Sequence, residues 1–164
     1  MGLQLPGELR SLLSMLGYNW PEADETKLME MGNAWLRFAS SHGGPLGEVD
    51  SHAQRVWSAN RGDDIEAFQK SWNDGESGRT NLQDFTTAAN IIGAGLMVCG
   101  AIVLALKINV IVQLTLLAIE IAQAIATAGP SFGATLAEIP IFKEITGAVI
   151  DQLIDMALQA ILNG

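Results

Sequence analysis

"VWSANRGDDIEAFQKSW", residues 56–72, sets two tryptophans fifteen positions apart around a glycine and a phenylalanine. Tryptophans so close in an aromatic-poor chain either line a ligand site or bolt the corner of a helical hairpin. Arg61–Gly62 ends one helical segment, Asp63 or Asp64 caps the next, and Ile65, Phe68 and Trp72 repeat at i, i+3, i+7. Trp57 lies just before the turn, near Trp35 and Phe38 of the preceding segments if these fold back antiparallel. Burying Trp and Phe there stabilises a hairpin by about 2–3 kcal/mol per side chain. The stretch therefore reads as a hydrophobic lock between two helices.

Helical spacing continues outward in both directions. Upstream, a short turn or helix in "PGELRSLLSML" precedes "WPEADETKL", which predicts a helix start. Pro21 fits its first turn, and Glu22, Asp24 and Glu25 complement the positive helix end. Leu28, Met31, Trp35 and Phe38 then form one apolar stripe. "SSHGGPLG" (40–47) predicts a break, because Pro45 and three neighbouring glycines disfavour helix, and a second segment runs from about Glu48 to Asn60. Downstream, Thr80 to Gln83 matches a capping box that opens a long apolar helix reaching about Thr127. "AGPS" (128–131) stops it, and Pro140 falls in the first turn of a last, amphipathic helix. The expected fold is all-α: an antiparallel helical hairpin packed with a long apolar helix and a C-terminal amphipathic helix. Residues 1–78 form the hairpin region and 79–164 the apolar helical region.

From Phe85 to Leu106 twenty-two residues carry no charge, enough to cross a hydrocarbon layer of about 30 Å at about 1.5 Å per residue. A buried helix of a bundle explains the same pattern. Lys107 and Asn109 are the only hinge available to a two-span hairpin, and positive flanks are absent. Both possibilities, bundle core and membrane insertion of 85–127, stay open at this point.

The net charge of −9 argues against nucleic acid or an anionic lipid surface as the main partner. Thirteen of eighteen acidic side chains and seven of nine basic ones lie before residue 85, a composition shift near Asp84. Cys99 is the sole cysteine, so no intrachain disulfide forms. The opening residues lack the basic and apolar regions of a signal peptide, so ordinary signal-peptide export is not indicated. Gly129-Pro-Ser-Phe-Gly133 matches the G-x-S-x-G nucleophile pattern, but it follows a helix, and His42 and His52 lie upstream in the wrong order. Those histidines also lack companions at metal-ligand spacing. No catalytic residue, cofactor or metal is expected.

Trp57, Gly62, Phe68 and Trp72, with "LPGELRSLLSMLGYNWPEADETKLMEMGNAWLRFA" upstream, resemble the Trp-x-Gly (WXG) superfamily of type VII secretion substrates. Trp20-Pro21, Asp24-Glu25 and Ala34-Trp35 are similar to positions in the WXG-like N-terminal domains that precede toxin modules in large actinobacterial proteins, including the channel-and-necrotising-toxin type. Four residues rather than one separate Trp57 from Gly62, a departure from the family motif. The resemblance implies a non-catalytic delivery or scaffold domain, exported without a signal peptide and bound to a small helical partner, a second copy or the secretion machinery. Trp35, Phe38, Trp57, Gly62, Phe68 and Trp72 are the candidate hairpin and partner-binding residues. A membrane-inserting helical protein and a cytoplasmic structural oligomer are the alternatives.

Overall fold

The structure, a computed structural model, describes residues 1–131 and 133–163. Among these there is no strand, and the chain is all-α. Five helices follow in order: α1 (Gly7–Met15), α2 (Glu25–Ala59), α3 (Asp63–Trp72), α4 (Gly78–Ala126) and α5 (Ile139–Asn163), with a 3-10 turn at Ala134–Glu138 before α5. Two compact units divide the chain, one of Met1–Lys27 with Cys99–Gly164 and one of Leu28–Val98.

Several helix ends fall elsewhere than the sequence suggests, each for a local reason. Helix α2 begins at Glu25, not around Pro21, because the Asp24 carboxylate accepts the Lys27 N–H at 3.1 Å and caps it. That hydrogen bond holds the Asp24 carboxyl below the usual carboxylate range. Ser77, three residues before Thr80, opens α4. Its hydroxyl accepts the Thr80 N–H at 3.2 Å and donates to the Trp72 carbonyl at 3.2 Å, which stitches the two helices together. Asp63 and Asp64 lie inside the first turn of α3 instead of capping it.

The expected break at 40–47 does not occur: α2 runs unbroken for 35 residues with Pro45 inside. Proline has no N–H to offer the Ser41 carbonyl, a cost of about 3 kcal/mol in a helix interior. Ser41, Gly44 and Pro45 are all exposed, so water reaches the gap. Packing on both sides fixes the helix: Ala39 is 1% and Ala53 6% exposed, and Asp50 is tied to two other helices as described below. Tertiary contacts outweigh the local preference.

The unit containing both termini has a core of Leu5, Leu13, Val110, Leu114 and Ile150, with Trp20 and Tyr18 packed against it. The Tyr18 hydroxyl donates to the Gly147 carbonyl at 3.0 Å and fastens the segment after α1 to α5. Within this unit the buried residues of α4 recur as Gly100, Val103, Lys107, Val110, Leu114, Leu117 and Ala124, one helical face. At its end, the Ser131 hydroxyl donates to the Thr127 carbonyl at 2.8 Å and Thr135 donates to Ala124 at 2.9 Å. The serine of the G-x-S-x-G match is thus occupied in closing a helix. Phe132 of that match lies outside the described residues.

The other unit is built on small residues. At the α2–α4 crossing a Cβ on Gly32 would come within 2.8 Å of the Gly93 carbonyl oxygen, and one on Gly93 within 3.0 Å of the Gly32 oxygen. The two backbones touch there, an approach only glycine allows.

Candidate functional site

The hairpin corner is an aromatic ladder. Trp57 at the end of α2 packs on Phe68 with ring centroids 5.6 Å apart, and Phe68 packs on Trp72 at 5.7 Å, both tilted. Gly62 turns the chain with φ 137° and ψ 161°, a conformation open to glycine and strained for any side chain. The Trp72 indole N–H donates to Asp50 Oδ1 at 2.9 Å, and the Arg79 guanidinium donates to the same oxygen at 2.8 Å. Gln54 adds a bond to Oδ2 at 3.2 Å. These hydrogen bonds, from Trp72 and then Arg79, hold the Asp50 carboxyl below the usual carboxylate range. One carboxylate on α2 therefore receives donors from α3 and α4.

Trp35 and Phe38 do not join this corner. They lie on the same unbroken helix as Trp57, twenty-two and nineteen residues before it, about 30 Å along the axis. Their partners are elsewhere: Phe38 packs edge-on against Phe85 of α4 at 5.4 Å and against His42 at 4.2 Å, and Trp35 against Phe38 at 6.3 Å. Met31, Ala34, Trp35, Phe38 and Phe85 line an open apolar groove of about 330 Å³. Met31 of the stripe read from the sequence is 52% exposed and Phe85 of α4 50%, while Leu28, Trp35 and Phe38 are half-buried.

Sequence reasoning missed the strongest electrostatic feature. Lys107 and Glu25, both nearly fully buried in the unit containing the termini, form an ion pair at 2.8 Å. The ammonium also donates to the Ala23 carbonyl at 2.7 Å and lies 5.7 Å from the centre of the Trp20 ring. Glu25 accepts the Leu3 N–H as well. Burial pushes the Glu25 carboxyl up, but the hydrogen bonds from Lys107 and Leu3 outweigh it and leave it below its ordinary value. A lone lysine within a long uncharged run was the available signal, since such a charge needs a partner.

The arrangement supplies surfaces and a structural ion pair. Among the described residues no three of His, Cys, Asp or Glu gather where they could hold a metal ion. Helix α4 and the stretch Ala134–Asn163 are long and apolar enough to cross a membrane, with mean hydropathy reaching 2.4 and 1.4 over eighteen residues. Searches of the curated proteins and of the solved structures find no match. The family model described as "WXG100 like domain" matches residues 5–149. The chain belongs to the WXG100-like domain family of secretion-related helical proteins.

Proposed function

We propose that the chain is a non-catalytic delivery and scaffold domain of a type VII secreted protein, recognised through helix–helix contact at the groove of Met31, Ala34, Trp35, Phe38 and Phe85. The open apolar groove, with Met31 and Phe85 exposed and Trp35 and Phe38 half-buried, carries the reading: such a surface on one helix pair suits the apolar face of another helix. The hairpin corner serves it indirectly. The Trp57–Phe68–Trp72 ladder and the Asp50 tie hold α2, α3 and α4 in register, so the partner meets a formed surface. In this reading the domain precedes a toxin module in a longer protein and leaves the cell by the type VII route. The test is export from a host carrying a type VII machine. A Trp35→Ser/Phe38→Ser double variant should keep its helical circular dichroism and lose most export; export at the wild-type level refutes the assignment.

A second reading rests on a separate observation. In α4 only 22% of the most apolar window is buried, and in the C-terminal stretch 11%, which leaves much apolar surface for lipid. Flotation with liposomes tests it, and failure to bind across the pH range would exclude it.

A further inference from the structure

The face of α2 that carries Met31, Trp35 and Phe38 continues into His42, Pro45 and Val49 at steps of three and four residues. On α4, Leu82 and Gly78 extend the face of Phe85 in the same way. Between these extensions lies a second opening of about 320 Å³, walled by His42, Pro45, Val49, Trp72 and Leu82, with Arg79 beside them. The Phe38 ring of the first groove stacks on the His42 ring of the second at 4.2 Å, so the two form one furrow. Its walls are largely apolar, and the Ser41 hydroxyl and His42 Nδ1 both turn back to the Phe38 carbonyl, at 2.8 and 2.9 Å. Arg79 is the charged side chain of the lining. Its Nε donates to Asp50, which fixes the plane of the guanidinium. Its terminal nitrogens make no hydrogen bond among the described residues. They are open to solvent, since among those residues no buried side-chain nitrogen or oxygen lacks a partner.

We infer that this furrow binds a free long-chain carboxylate, its head on the terminal nitrogens of Arg79 and its alkyl chain running along α2 towards Met31. A guanidinium offers paired N–H groups in one plane, which matches a carboxylate. Asp50 already takes one edge of Arg79 and the chain's net charge is −9, so a head with a single negative charge suits the site better than a phosphate dianion. The remaining walls offer few polar partners, which an alkyl chain tolerates and a peptide backbone does not. Length sets the size of the ligand. Arg79 to Phe85 is six residues of α4, and Phe38, which packs on Phe85, lies seven residues of α2 from Met31. At 1.5 Å per residue the path is about 20 Å long. An extended chain of sixteen carbons spans about 19 Å, at about 1.25 Å of advance per C–C bond. The two openings, about 330 and 320 Å³, each match the small end of ligand pockets.

The site shares Trp35, Phe38 and Phe85 with the helix-docking groove but does not rest on that reading. Its test, calorimetric titration of the purified full chain, needs neither a partner nor export, so either can fail alone. Hexadecanoate below its aggregation concentration should bind one molecule per chain, and decanoate more weakly. Arg79→Gln should weaken both at least tenfold. Ala34 lies about 15 Å along the furrow from Arg79, whereas decanoate anchored there reaches about 11 Å. Ala34→Trp, at an exposed position that lines the groove, should therefore weaken hexadecanoate at least tenfold and leave decanoate unchanged, with helical circular dichroism intact. The absence of saturable binding would overturn the proposal, as would dodecyl maltoside binding as tightly as dodecanoate. Wild-type affinity in Arg79→Gln, or an equal effect of Ala34→Trp on both acids, would overturn it as well.

Discussion

Replacing Lys107 with methionine keeps the length of the side chain and removes its charge. The Glu25 carboxylate is then left buried, with the Leu3 N–H as its remaining donor outside its own helix, and the Ala23 carbonyl loses its donor. Breaking a buried pair in this way costs about 3–5 kcal/mol. The lower figure applies, because the Leu3 N–H still donates to the stranded carboxylate. For a chain of this size about 3 kcal/mol lowers the melting temperature by roughly 6–12 °C. Adding Glu25→Gln removes the stranded charge and keeps an acceptor for Leu3, so the double variant should recover at least half the loss. The pH dependence has a definite sign. In the wild type the folded carboxyl lies below its unfolded value, so the pair's contribution is complete above a pH of about 4.3 and is lost as pH falls through the folded value. The gap between wild type and Lys107→Met therefore narrows in acid and is full at neutral pH. Thermal unfolding followed by circular dichroism, as a double-mutant cycle, decides the matter. Single substitutions that add within about 0.5 kcal/mol would show no coupling and refute the account.

Gly93→Ala should destabilise by about 1–3 kcal/mol, because its Cβ meets the Gly32 oxygen and the Leu36 side chain at 2.8–3.0 Å. In an ordinary helix the same change stabilises by up to about 1 kcal/mol, so the sign of the shift in denaturant midpoint is the readout. Gly62→Ala should cost about 1–3 kcal/mol in the same assay through its backbone conformation. Pro45→Ala should raise stability by about 2 kcal/mol, since it restores an N–H for the Ser41 carbonyl and the surrounding contacts already hold the helix. A fall in stability would mean that the proline is accommodated by something other than those contacts.

The hairpin was legible because local spacing carries it. Phe68 and Trp72 share a face at a separation of four residues, and the turn at Gly62 brings Trp57 to them. The end of α4 near residue 127 was legible too, since Gly129 and Pro130 disfavour helix locally and the helix stops just before them. Pro45 misled because its penalty is local and the contacts that offset it are not. The placement of Trp35 and Phe38 failed with it, since an unbroken α2 cannot fold back on itself. The Glu25–Lys107 pair spans 82 residues, and Glu25 had a sufficient local explanation as a carboxylate at a positive helix end. The mutual fit of Gly32 and Gly93 is likewise a property of two helices meeting, invisible in either alone.

That 82-residue separation has a consequence for the order in which the chain matures on the ribosome. The unit of Leu28–Val98 is contiguous and is synthesised whole before Lys107 is made, whereas Met1–Lys27 belongs with Cys99–Gly164. At about 5–20 residues per second, Glu25 waits roughly 4–16 s for its lysine. During that interval Leu5 and Leu13 have no Val110 or Leu114 to cover them. The stretch holding Leu5 and Leu13 therefore stays an uncovered apolar segment of the growing chain until α4 is completed.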